Sequence, residues 1–157
     1  MRSLLSVVVM VPLFIGCKGK KGEDRAAGEQ AVAIEWSSVA AGNNHSCGIT
    51  TSNTIECWGN NDGGQINAPS GTFSQVSAGT WHTCALNTDG LIECWGLNDT
   101  EESSPPDGVF LSLSAGSKHN CAVNEVGGVE CWGNGVMGQA TPPPLTFSAV
   151  SVGGDHS

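Results

Sequence analysis

The chain has 157 residues, a formal net charge of −9, 22 glycines and only 6% aromatic residues. From Ala26 onward 13 carboxylates face a single lysine, Lys118. No basic face exists there to neutralise phosphates, so composition excludes a nucleic-acid partner.

Residues 1–17 read as an export signal: one early charge, Arg2, a largely apolar run from Leu4 to Ile15, then Gly16-Cys17. The run is about 12 residues where a spanning helix needs roughly 20, and Pro12 interrupts it. Phe14-Ile15-Gly16-Cys17 resembles a bacterial lipoprotein cleavage box. That resemblance implies lipidation at Cys17 and a lipid-anchored place in the bacterial cell envelope, with the lipid as the only membrane contact. An ordinary cleaved secretory signal or an uncleaved anchor is the alternative. Residues 18–30, KGKKGEDRAAGEQ, are charged, Gly-rich and aperiodic, as in a flexible tether.

From residue 31 to residue 157 the chain repeats with a period of 37 residues. His45, His82, His119 and His156 share one register, as do Trp36, Phe73, Phe110 and Phe147, and the Cys-Trp-Gly triplets at 57–59, 94–96 and 131–133. The units are 36–72, 73–109 and 110–146, with a truncated fourth at 147–157 that stops one residue before the position held by Cys47, Cys84 and Cys121. On this register the chain reads as a fragment of a longer array, and function belongs to the array.

The second unit has the clearest signals: Phe73 to Ala78, His82 to Asn87 and Leu91 to Trp95, bounded by Gly, Asn and Asp. These predict a meander of short strands, and no sustained helical period follows residue 30. Centring the second turn on Asp89 pairs Leu86 with Ile92 and Cys84 with Cys94. The last loop position, which needs a left-handed backbone, then holds Asn53, Gly90 and Gly127. The same register sets two cysteines of each unit opposite one another and predicts disulfides Cys47–Cys57, Cys84–Cys94 and Cys121–Cys131, the alternative being six reduced core thiols. A unit this small cannot bury a core alone, so Trp58, Trp95 and Trp132 are expected to wedge between stacked units, and a row of exposed ligand-stacking indoles is the alternative.

Three tempting sites are weaker than they look. Identical histidines in stacked units spread along an arc instead of converging on one metal ion, and are expected to be structural, hydrogen-bonded to a neighbouring turn. A hydroxyl residue beside histidine, as in His45-Ser46 and His82-Thr83, points to the opposite strand face, a poor geometry for a nucleophile and its base. Asn60-Asn61-Asp62-Gly63-Gly64 has the oxygen-rich composition of a calcium loop, but its counterparts in the other units do not keep the ligand set. What the scaffold leaves free is the pair before each histidine: Asn43-Asn44, Thr80-Trp81, Ser117-Lys118 and Gly154-Asp155. Such loops align along one face, which makes Trp81 and Lys118 candidates for a partner surface.

Phe73 to Asn98, with Ala78-Gly79, His82, Ala85-Leu86, Gly90, Trp95-Gly96 and Asn98, resembles the regulator-of-chromosome-condensation repeat, and Gly64-Gln65 and Gly138-Gln139 resemble its closing Gly-Gln. The second unit has Glu101-Glu102 at that closing position. The resemblance implies an all-β fold, a β-propeller of four-stranded antiparallel blades, here incomplete. It implies no cofactor. Together these readings point to a non-enzymatic envelope lipoprotein, its repeats a scaffold for an unknown protein or small ligand. An enzyme, hydrolase or lyase, completed by further blades, and a purely structural surface module, are the alternatives.

Overall fold

The computed structural model describes residues 34–157, so the export signal, Cys17 and the tether lie outside the described residues. Nine strands form three separate antiparallel sheets, each a simple meander. The first contains β1 (Trp36–Ala41), β2 (His45–Thr50) and β3 (Ile55–Gly59). The second contains β4 (Phe73–Ala78), β5 (His82–Asn87) and β6 (Ile92–Gly96), and the third β7 (Phe110–Ala115), β8 (His119–Asn124) and β9 (Val129–Gly133).

The second hairpin has the predicted register, with Leu86 opposite Ile92 and Cys84 opposite Cys94. Its last loop position is left-handed in every unit, with φ of 65° at Asn53 and 82° at both Gly90 and Gly127. Leu91, expected to open the third strand, instead closes the turn by accepting the Asn87 amide, and the strand starts at Ile92. The opposed cysteines have Cα atoms 4.0–4.1 Å apart, with sulfurs at disulfide distance in all three units. Such pairs fit an oxidising compartment.

The sheets have three strands, not the four that the resemblance implied. Residues that could form a fourth carry Pro69, Pro105-Pro106 and Pro142-Pro143-Pro144. Proline lacks the amide proton that a ladder needs, so these stretches run as turns and irregular chain.

The core lies between the sheets. Cys47 and Ile49 of the first sheet meet Phe73, Val76, Ala85 and Trp95 of the second, and Cys84, Leu86 and Ile92 of the second meet Phe110, Leu113, Ala122 and Trp132 of the third. Trp95 and Trp132 are wedges as expected, each 9% exposed. Trp58 is not: it is 45% exposed and lies tilted against Trp36, with centroids 5.4 Å apart and the rings at 57°. Trp95 and Trp132 each reach a carbonyl of the preceding unit, and among the described residues no sheet precedes that of Trp58. The free edges of inner strands are covered by side chains of the preceding unit. The Gln75 amide both donates to the Leu113 carbonyl (2.9 Å) and accepts the Leu113 N–H (3.0 Å), and Ser77 Oγ accepts the Ala115 N–H. Edge groups left bare would recruit other chains.

Candidate functional site

The short turn ahead of each repeat histidine carries an Ala-Gly or Val-Gly pair, and the four turns converge on a depression of about 250 Å³ rimmed by Asn43, Thr80, Ser117 and Gly154. The glycines here are required by space. A Cβ on Gly79 would meet the carbonyl of Gly116 at 2.6 Å, so consecutive units approach backbone to backbone.

Directly after each of the first three turns stands the repeat histidine, buried and bonded to the next unit. His45 Nε2 lies 2.8 Å from Thr83 Oγ1, His82 Nε2 2.8 Å from Asn120 Oδ1, and His119 Nε2 3.1 Å from Ser157 Oγ. The acceptor residue in turn holds the preceding unit: Thr83 Oγ1 donates to the Gln65 carbonyl (3.0 Å), Asn120 Nδ2 to the Glu102 carbonyl (2.8 Å) and Ser157 Oγ to the Gln139 carbonyl (2.8 Å). Those hydroxyl protons are therefore committed, and each histidine must donate from Nε2–H. A histidine that donates to a hydroxyl does not activate it as a base, so the assembly acts as a latch between units. Trp95 Nε1 and Trp132 Nε1 donate to the same Gln65 and Glu102 carbonyls.

Sequence reasoning placed these histidines as structural, bonded to a neighbouring turn, but missed the true partner. The available signal was the residue before each second-strand cysteine, always Ser, Thr or Asn: Ser46, Thr83, Asn120 and Ser157. The strand alternation held, since His82 faces the following unit and Thr83 the preceding one. The closing loops are equally satisfied. Gln65 Oε1 accepts the Gly63 N–H and Gln139 Oε1 the Met137 N–H, while Glu102 Oε2 accepts both Thr100 N–H and Thr100 Oγ1–H at 2.7 Å. Glu101-Glu102 thus does the work of Gly-Gln, even to a left-handed φ of 64° at Glu101. In the oxygen-rich loop, Asn60 Oδ1 already accepts from Asp62 N and Gln65 Nε2, and Asn61 Oδ1 from Ile66 N.

Burial pushes His45, His82 and His119 below the ordinary histidine pKa of 6.5. Burial works against the Glu102 carboxylate too, but the Thr100 hydroxyl and amide donors outweigh it and hold its pKa below the carboxylate norm. Below about pH 6.5 the unfolded chain therefore binds histidine protons that the folded chain refuses, and stability falls with pH. Urea midpoints measured from about pH 7.5 down to about pH 5 are expected to fall steadily, with Glu102 adding to the loss only at more acid pH. A flat profile across that window would contradict the buried, neutral histidines.

The pairs before the histidines sit beside the closing loops. Asn60 N–H donates to the Asn44 carbonyl, Leu97 N–H to that of Trp81 and Asn134 N–H to that of Lys118. Lys118 is exposed and Trp81 half-buried. The latch thus aligns these loops, unit by unit, on one face at the start of the second strands. The β2–β3 type hairpin turns lie at the opposite end.

Residues 36–65 and 73–100 match the family model described as the regulator of chromosome condensation (RCC1) repeat. Among solved structures, the chain is similar to the CRINKLY WD40 ectodomain of the Arabidopsis thaliana receptor kinase ACR4, with a TM-score of 0.69 and 22% identity over 77% of this chain and 45% of that one. It is similar to the ectodomain of the Physcomitrella patens receptor kinase CR4, with a TM-score of 0.64 and 32% identity over 78% of this chain and 34% of that one. Prp20p of Saccharomyces cerevisiae, described with its binding to Gsp1p and histones, matches with a TM-score of 0.62 and 18% identity over 73% of this chain and 34% of its own. The chain thus spans less than half of each of these structures. No curated protein matches the chain by sequence.

Proposed function

Because the chain carries regulator of chromosome condensation (RCC1) repeats, we propose that it is a non-enzymatic, protein-binding scaffold of the cell envelope, lipid-anchored through Cys17. One observation carries the binding role: the histidine latch holds the non-repeating pairs before each histidine, Trp81 and Lys118 among them, side by side on a single face. A scaffold that repeats while its loops vary suits recognition. Prp20 is described bound to Kap60 and with its binding to Gsp1p, which supports a protein partner as the kind of ligand such repeats take. The three cysteine pairs and the likeness to receptor ectodomains support a place outside the cytoplasm.

A photoreactive amino acid placed at position 81 or 118 of the chain in its native cells is expected to trap a discrete protein adduct, and the same group at Asp89 or Glu125, on the hairpin turns, is not. Adducts from the turn positions alone, or from none, would reject the assigned face. Palmitate label that persists in a Cys17→Ser chain would reject the anchor.

A further inference from the structure

The third sheet repeats half of an interface that is complete between the first two. There, Ile55, Cys57, Ala68, Phe73 and Val76 pack around the Trp95 indole, whose N–H bonds the Gln65 carbonyl. Two periods further on, Val129, Cys131, Pro142, Phe147 and Val150 line an apolar groove of about 280 Å³. These are the same five positions of the repeat. Among the described residues no indole enters this groove, and the Gln139 carbonyl accepts only Ser157 Oγ, where the Gln65 and Glu102 carbonyls each accept an indole N–H as well. The groove is therefore a third tryptophan slot, shaped for the indole of a Cys-Trp-Gly strand. Residues 147–157 cover it only in part. They take the place of a first strand, with the Phe147 N–H on the Gly127 carbonyl and the Val152 N–H on Ser114 Oγ, but enter no sheet. Phe147 stays 37% exposed where Phe73 and Phe110 are buried.

The first sheet carries the complementary half. It has Trp36, Val39, Gly48 and Trp58 where the second has Phe73, Val76, Ala85 and Trp95. Trp36, Val39 and Trp58 are 40%, 58% and 45% exposed, whereas their counterparts are buried. A Cβ on Gly48 would meet the Trp36 ring at 2.5 Å, so the smaller residue makes room for the larger ring on the same packing surface. Residues 36–46 also repeat 147–157 in register, with Val39, Gly42, His45 and Ser46 matching Val150, Gly153, His156 and Ser157.

We infer that copies of this chain associate head to tail: the first sheet of one copy displaces residues 147–157 of another and seats its Trp58 in the groove beside Val129 and Pro142. Ser46 then takes the place of Ser157, accepting from His119 and donating to the Gln139 carbonyl, and Trp58 Nε1–H supplies that carbonyl's second bond. Continuity with the two internal interfaces selects the occupant. The exchange replaces a segment outside any sheet by a formed three-stranded one, as in domain swapping, and removes three apolar side chains from water. This contact uses a face that the scaffold reading leaves free.

Sedimentation equilibrium of the purified 157-residue chain from about 1 to about 200 μM is expected to show an average mass rising above that of one chain. Trp58→Glu blocks the head and Val129→Glu the groove, and each alone is expected to weaken association about thirtyfold or more. Mixed in equal amounts, the two variants are expected to regain it, because the intact head of the Val129→Glu copy meets the intact groove of the Trp58→Glu copy. The amide spectrum of each variant reports its fold. Phe147→Ser loosens the displaced segment and is expected to tighten association about threefold. A mass that stays at one chain, association kept by both single variants, or a mixture no more associated than its parts would overturn the proposal. So would loss with Trp58→Glu but not with Val129→Glu, the mark of a two-fold contact between heads. Weakening by Phe147→Ser would also overturn it, by showing that residues 147–157 stay in place.

Discussion

Gly96→Ala is expected to destabilise the chain by about 4 kcal/mol, among the largest effects of any single substitution. The position has φ of 104°, and an added Cβ would stand 2.6 Å from the Trp81 carbonyl, 2.8 Å from the His82 Cα and 3.1 Å from the Gln65 Cα. Backbone from its own unit and the preceding one surrounds it, and neither can retreat without moving the latch. The left-handed backbone alone costs an L-residue only about 1–2 kcal/mol. Gly138 isolates that part, since it has φ of 82° with nothing within 4 Å of an added Cβ. Gly138→Ala is accordingly expected to cost about 1 kcal/mol, and equal urea midpoints for the two variants would refute the close approach at Gly96.

Trp95→Ala is expected to cost about 3–5 kcal/mol, and Trp58→Ala no more than about 1, although both occupy the same position of the Cys-Trp-Gly triplet. Trp95 is buried among Ile49, Phe73 and Val76 and donates its N–H to Gln65, so its removal opens a cavity between sheets and deletes a bond. Trp58 lies tilted against Trp36 and remains 45% exposed. Guanidinium melts of the two variants measure the difference. Comparable losses would mean that Trp58 is packed against something its exposure does not reveal.

The period made the strands and the hairpin register legible, because strand alternation and turn chemistry act within one unit. Asn53, Gly90 and Gly127 could be assigned a left-handed backbone from residue type alone. What could not be read is how one unit meets the next. His45 and Thr83 are 38 residues apart, and only the stacking angle decides that the hydroxyl beside one histidine serves the histidine of the unit before. Trp58 was expected to match Trp95 for the same reason: sequence equivalence carries no information about which sheet faces are covered. Glu101-Glu102 looked like a departure from Gly-Gln, yet the slot needs only a left-handed residue and a side-chain oxygen, and Glu102 supplies that oxygen as Gln65 does. The three prolines at 142–144 were visible throughout, and a missing donor was sufficient reason to expect no fourth strand there.

The candidate face depends on the latch, because the loops align only if each unit is fixed to its neighbour. Asn120 accepts from His82 and donates to the Glu102 carbonyl, while Ser46, the same position in the first unit, has no sheet before it among the described residues. The direct measurement is the urea unfolding free energy of Asn120→Ala beside that of Ser46→Ala. Asn120→Ala is predicted to lose about 2–3 kcal/mol, since it leaves the buried His82 N–H unpaired and takes one of two donors from the Glu102 carbonyl, and Ser46→Ala under about 0.5 kcal/mol. Losses that are small and equal would contradict the latch, and with it the alignment of the loops on one face.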